Sequence, residues 1–302
     1  MKLINSNIAV VNSSTGLLTV LFDAIKIKIT LFVAFSTFLG YILASGSFSF
    51  DFIYPVLGIF ILACGSAALN QYQERDYDAL MKRTMNRPIP SGTMKPSSVL
   101  AISLALILTG SVILIVKTNL LTLIVGLLTL AAYNYMYTPL KRKSEFAIIP
   151  GSLVGALPPL AGWVAAGGEV LNGNILLIVA YFFVWQIPHF WLLLLIYNND
   201  YKRAGFPVLT DKYDTNKLKK LIIAGVVATT AFPIVLCFTG ILNYDLSAVF
   251  IIMAGIITSA LFVKFYNSES SNKTYLKYFI LINLYNLLII SVFSLDKLIS
   301  FI

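Results

Sequence analysis

"ALNQYQERDYDALMKRTMNRPIPSG", residues 68–92, follows a stretch in which nearly every residue is apolar. Its first polar residues come at a fixed step, with Asn70, Glu74 and Asp78 four apart. An α-helix turns about 100° per residue, so these three fall within a sector of roughly 80°, stacked over two turns. Asp76 points elsewhere. An apolar helix that continues into this stripe, facing the interior of a bundle, reads as the end of a membrane span that carries a site. Two carboxylates and an amide oxygen make an all-oxygen set. Such a set suits Mg²⁺, which keeps several waters and is held by one or two carboxylates plus substrate phosphate. Lys82, Arg83 and Arg87 come next, and Arg forks hold phosphate oxygens in bidentate fashion. Carboxylates for the metal and arginines for the anion together describe a diphosphate site. The two prolines of "RPIPSG" stiffen the loop that would lie against a ligand. The plainer alternative, a solvated turn with local salt bridges, does not call for the four-residue register.

Composition points the same way. The chain has 302 residues, 58% hydrophobic and 12% charged, against about 25% charged in soluble domains. Nine apolar stretches stand at roughly 28–46, 52–72, 97–116, 119–138, 145–165, 173–196, 221–242, 246–266 and 275–295. An all-α polytopic bundle is expected, because backbone in lipid must satisfy its own hydrogen bonds. Of the 22 Lys and Arg residues, 20 lie in the N-terminus and alternate connections, leaving Lys117 and Lys297 on the other side. Basic residues concentrate on the cytoplasmic side, so the N-terminus is expected inside and the C-terminus outside. The net charge of +9 is then accounted for by topology, and no nucleic-acid partner is expected. Residues 1–22 carry no cleavable-signal pattern and read as a short surface segment before a single transmembrane domain. Cys64 and Cys237 have no metal-type spacing and are expected to pack.

Transporters place ionisable residues in mid-span. Here charge gathers instead in two cytoplasmic loops, 73–96 and 197–220, and the span ends beside them. That suits a chamber at one end of a bundle better than a pore. The second cluster, "VWQIPHFWLLLLIYNNDYKRAGFPVL" (184–209), holds the sole histidine, His189, with Gln186 and Pro188. Asp200 is a candidate for a second metal and Lys202 for phosphate. In "YNYMYTPLKRKS" (133–144), Tyr133 and Tyr137 share a helix face, and Lys141–Lys143 read as positive-inside anchors. "GSLVGALPPLAGW" (151–163) is rich in small residues that let helices approach. Pro158–Pro159 is expected to break the helix there, beside a cavity wall.

These blocks, in this order, resemble the UbiA superfamily of membrane prenyltransferases over about residues 20–295. Its members have nine transmembrane helices, an N-x-x-x-D-x-x-x-D motif and a second Asp-rich segment. Asn70, Glu74 and Asp78 stand at the first motif, with Glu in the middle place. His189 stands where many members carry Asp, as in the haem-modifying branch. The resemblance implies transfer of a farnesyl group from farnesyl diphosphate to a vinyl group of haem b, with addition of water, giving haem O. It implies Mg²⁺ on Asn70, Glu74, Asp78 and Asp200, and diphosphate on Lys82, Arg83, Arg87 and Lys202. His189 and Gln186 would lie on the acceptor side, and Tyr133 and Tyr137 would stabilise an allylic cation. Membrane lipid surrounds the enzyme, and a downstream haem A synthase is left open as a partner. An aromatic acceptor such as 4-hydroxybenzoate is the alternative within the same fold. A transporter and a structural subunit are alternatives outside it. Where the family shows Lys-Pro-Arg, this chain has Lys26-Ile27-Lys28, so neither lysine receives a role.

Overall fold

The computed structural model describes residues 16–302. The expectation for 1–22 lies outside the described residues except at its end, where α1 (Leu17–Ala24) begins. Lys26 then adopts left-handed backbone, φ 52° and ψ 50°, before α2 (Ile27–Ala44). Next come α3 (Ile53–Asp78), α4 (Pro96–Lys117), α5 (Leu120–Ala131), a π-helical segment (Ala132–Tyr137) and α6 (Thr138–Leu140). The remaining helices are α7 (Ile148–Ala165), α8 (Gly173–Ile196), α9 (Asn198–Arg203), α10 (Thr215–Leu236), α11 (Asp245–Phe265) and α12 (Asn272–Ile299). Among the described residues there is no strand, and nine helical spans are long and apolar enough to cross a membrane, α5 through α6 counting as one. The chain is an all-α integral membrane protein.

Several span boundaries differ from expectation: the seventh span ends at Leu236 rather than 242, the ninth runs Asn272–Ile299 rather than 275–295, and two further shifts have a clear cause. The second apolar stretch does not end at 72, because α3 continues unbroken to Asp78; one face of its last two turns, with Glu74 and Asp78, is buried in protein and brings the acidic stripe with it. The seventh span starts at Thr215 instead of 221, because the Asp214 side chain caps the helix by accepting from the Lys217 N–H at 2.6 Å. Such a cap satisfies a backbone donor that the first turn leaves open.

Pro158 and Pro159 do not break α7, which runs through both. Each proline removes one helical N–H, but its fixed φ is compatible with a helix, and a spanning helix held by neighbours tolerates the loss. The small residues nearby are used for close crossing instead. A methyl on Gly40 of α2 would land on the Pro159 carbonyl, and one on Gly162 of α7 would land on the Thr37 carbonyl. Backbone therefore meets backbone where α2 crosses α7.

One apolar core gathers Leu39, Ile42, Leu62, Trp163, Phe182 and Ile289. Another, from Leu192 to Phe262 and Tyr278, joins α8, α10, α11 and α12. The spans with the highest mean hydropathy, α4 at 2.8 and α11 at 2.5, leave Leu104, Leu108, Phe250 and Ile256 exposed, as helices facing lipid tails do. Cys64 and Cys237 are both free thiols.

Candidate active site

Asn70, Glu74 and Asp78 are each 1–2% exposed, while Asp76 points to solvent. The four-residue step therefore builds the buried stripe it predicts. Every polar head on that stripe meets a basic side chain. Lys26 Nζ donates to Asn70 Oδ1 at 2.6 Å and to the Tyr133 hydroxyl at 3.1 Å. Lys141 Nζ lies 2.6 and 2.7 Å from the two Glu74 carboxylate oxygens. Arg87 Nη1 donates to Asp78 Oδ2 at 2.7 Å. Asn70 Nδ2 donates to Thr138 Oγ1 at 2.9 Å, which turns the amide oxygen toward Lys26. Burial, and after it the nearby Arg87 guanidinium, pulls the Lys26 ammonium well below the ordinary lysine range, with Glu74 and Asp78 opposing.

Local backbone sets these contacts. A left-handed φ is uncommon for a residue with a side chain, and at Lys26 it breaks α1 from α2 and sends Nζ inward. The π segment adds a residue to one turn, a device frequent at functional sites. It keeps Tyr133 and Tyr137 stacked, ring centres 5.9 Å apart and planes 15° apart. It also turns Asn134 into a clamp on α3: Asn134 Oδ1 accepts from Ser66 Oγ at 2.5 Å, and its Nδ2 donates to Gln73 Oε1 at 3.1 Å. The Tyr137 ring fits against Gly151, where a methyl would sit 2.8 Å from it.

The basic residues divide into two groups. Arg87 reaches the stripe. Arg83 stays outward, its guanidinium 4.7 Å from the Tyr197 ring centre, and Lys82 is exposed. Lys141 is more than the surface anchor expected of it, and Arg142 is too, since its Nη2 donates to the Gln73 carbonyl at 2.7 Å. Asp200 is engaged elsewhere: its Oδ2 accepts from the Arg83 backbone N–H at 3.0 Å, tying the first loop to α9. Lys202, two residues on and so roughly on the opposite side of a helical turn, pairs with Asp211 at 2.5 Å rather than turning to the stripe.

His189 and Gln186 point apart. The His189 ring lies 4.8 Å from both the Trp185 and Phe279 rings, against α12, and its buried Nδ1 has no hydrogen-bond partner. Gln186 faces α7 at Gly155, where any Cβ would collide with its amide. The second sequence block meets the site through other residues. A cavity of about 60 Å³ is lined by Tyr137 and Lys141 together with Phe190, Trp191, Tyr201 and Phe206.

The stripe fits a magnesium ion in its chemistry. Its donors are all oxygen, and Asp78 Oδ1 is buried without a hydrogen-bond partner. Among the described residues no three His, Cys, Asp or Glu side chains converge. The protein alone thus offers part of a shell, as expected for an ion completed by water and phosphate.

A buried carboxylate stripe ringed by basic side chains, in a nine-span helical bundle, is the arrangement of a membrane-embedded enzyme site. The chain belongs to the UbiA prenyltransferase family, whose model matches residues 33–286. It is 34% identical to a protoheme IX farnesyltransferase of Oleidesulfovibrio alaskensis over 72% of this chain and 82% of that protein. It is 32% identical to one of Flavobacterium psychrophilum over 90% and 92%, and 45% identical to one of Geobacter sulfurreducens over 51% and 56%. In fold it is similar to a digeranylgeranylglyceryl phosphate synthase, with a TM-score of 0.73 at 16% identity over 93% of this chain and 98% of that one. It is also similar to a UbiA homologue from Archaeoglobus fulgidus bound to GPP and Mg²⁺, with a TM-score of 0.65 at 14% identity over 91% and 99%.

Proposed function

We propose that this prenyltransferase joins farnesyl diphosphate to a vinyl group of haem b, giving haem O. The observation that carries the donor half is the buried Asn70–Glu74–Asp78 stripe with Lys26, Lys141 and Arg87 around it. The acceptor half rests on the relatives, which are named protoheme IX farnesyltransferases over most of the chain. That support favours haem over an aromatic acceptor.

Asn70, Glu74 and Asp78 are the residues that would hold Mg²⁺, with Asp200 available to a second ion only if it gives up the Arg83 N–H. When bound, the ion would supply Lewis-acid stabilisation to the leaving diphosphate. The C–O bond breaks with its electron pair going to the diphosphate, and Arg87, Lys141 and Lys26 offset the charge that develops there. Arg83, Lys82 and Lys202 edge the loops from which diphosphate enters. The ring faces of Tyr133 and Tyr137 favour the allylic cation. The vinyl group forms the new C–C bond, water adds to the resulting cation, and one proton leaves. His189 lies on the acceptor side, where an imidazole nitrogen free of a partner suits haem iron, and Gln186, which faces α7 instead, would contribute from another wall. The site faces the cytoplasm of a bacterial inner membrane, following the 20-to-2 distribution of basic residues. A haem A synthase would act on the product.

The test is mass spectrometry of haems extracted from membranes carrying the chain, incubated with farnesyl diphosphate and Mg²⁺. Haem O is the expected product. Prenylated 4-hydroxybenzoate in a parallel incubation, with haem b unchanged, would overturn the haem assignment in favour of the aromatic one.

A further inference from the structure

The three ligand positions of the stripe are already held. Lys26 takes Asn70 Oδ1, Lys141 spans both Glu74 oxygens, and Arg87 takes Asp78 Oδ2. All three contacts are 2.6–2.7 Å long, so an ion on the same oxygens would sit within a few ångströms of a positive head and be repelled by it. Asp78 Oδ1 has no hydrogen-bond partner, and Glu74 Oε1 has none beyond its ion-pair contact with Lys141. A divalent cation arriving alone would meet two carboxylates whose charge is already matched by Lys141 and Arg87, with Lys26 adjacent.

We infer that Lys26, Lys141 and Arg87 act as displaceable counter-ions that keep a bare divalent cation out of the stripe, so that metal binds only together with a diphosphate. The diphosphate supplies new oxygen acceptors for the three basic heads, and their departure uncovers Asn70, Glu74 and Asp78. The stripe and its basic ring are thus one exchange unit with two pairings. The roles are positioning roles, exerted on the metal through its ligands. This inference rests on the diphosphate-and-metal reading of the site but not on the identity of the acceptor.

The contacts come from three separate segments. Lys26 is 44 residues from Asn70, Lys141 is 67 from Glu74, and Arg87 is nine from Asp78. Each can therefore be altered with little effect on the local backbone of α3. Lys26 is the cleanest to change, because it faces a neutral amide and its removal strands no buried carboxylate.

The experiment is equilibrium dialysis of the purified full-length protein in lipid nanodiscs against Mn²⁺, with the bound ion read by electron paramagnetic resonance. It is run with and without a non-hydrolysable thio-analogue of farnesyl diphosphate, at matched free Mn²⁺. For the unaltered protein the analogue should tighten Mn²⁺ binding by at least about tenfold, the scale expected when a unit charge a few ångströms from the ion is moved away. Lys26→Met and Lys141→Met should each bind bare Mn²⁺ more tightly than the unaltered protein, and should gain less from the analogue. Lys141→Arg, which keeps the charge, should behave as the unaltered protein. A merely structural role for these lysines would leave bare-metal affinity unmoved or lower it. The inference is overturned if the unaltered protein binds Mn²⁺ equally with and without the analogue. It is also overturned if both Met variants, monodisperse on size exclusion, show no gain for bare Mn²⁺. No bound Mn²⁺ in either condition would defeat the metal reading along with this one.

Discussion

Glu74→Gln keeps the size of the side chain and removes its charge, and the surroundings fix the cost. Glu74 is 2% exposed, and Lys141 Nζ lies 2.6 and 2.7 Å from its two oxygens. The amide can still accept one hydrogen bond, but the Lys141 ammonium loses its counter-charge. Removing one member of a buried pair costs about 3–5 kcal/mol. The Lys141 side chain keeps 15% exposure and can turn partway to water, which places the cost near the low end, about 3 kcal/mol. Adding Lys141→Met removes the stranded charge and should return at least about 1 kcal/mol, since contacting residues couple on that scale. Turnover should behave differently. Losing a carboxylate that would hold the charge-compensating metal should cost about a hundredfold or more, some 2.7 kcal/mol, and the second substitution should not recover it. Thermal unfolding followed by fluorescence-detected size exclusion reads the first quantity, and farnesyl transfer in the same membranes reads the second. Recovery of turnover in the double variant would show that Glu74 serves only to balance Lys141. Near-normal turnover of Glu74→Gln at limiting Mg²⁺ would refute its role as a ligand.

Thr138→Val leaves the buried Asn70 Nδ2 without an acceptor, at about 1–3 kcal/mol; turnover should fall, and Thr138→Ser should restore it if the hydroxyl sets the orientation of the amide. Gly162→Ala pushes a methyl into the Thr37 carbonyl and should lower stability by about 1–3 kcal/mol, with farnesyl diphosphate affinity unchanged in the protein that remains folded. His189→Ala should weaken haem binding while farnesyl diphosphate binding holds, so equal loss of both would reduce His189 to a packing residue. Reporter fusions at 142 and 302 should report opposite compartments; agreement between them would refute the assigned topology.

The stripe on α3 is legible in the sequence because its information is local: a four-residue period inside one helix fixes a face without reference to the rest of the chain. Its basic partners are harder to read. Lys141 lies in a run of three basic residues that positive-inside anchoring already explains, and only the fold brings it 67 positions back to Glu74. Lys26 stands where the family pattern has lost its proline and arginine, yet it reaches Asn70. Charge alone does not tell Arg87, which turns inward, from Arg83, which stacks outward on Tyr197. Pro158–Pro159 misleads because the rule that proline ends helices is drawn from helices that water can invade. The second loop is legible as a participant but not in its contacts. Phe190, Tyr201 and Phe206 line the cavity, while Lys202 is spent on Asp211.

The π segment at Ala132–Tyr137 acts as a phase shift in a rotary code. The wide turn takes up one extra residue, so every later residue of the span stands about 100° and 1.5 Å from where an unbroken α-helix of the same sequence would put it. Thr138 and Lys141 come after the shift, and Asn70 and Glu74 depend on both. A chain that wound 132–137 as an ordinary α-helix with no residue lost could still cross the membrane, with its apolar character intact. Its hydroxyl and ammonium would then point to the wrong sector, and the acidic stripe would face them unanswered. In this span, then, a substitution that straightens the winding, which hydropathy barely registers, should be more damaging than most other substitutions of the same residues.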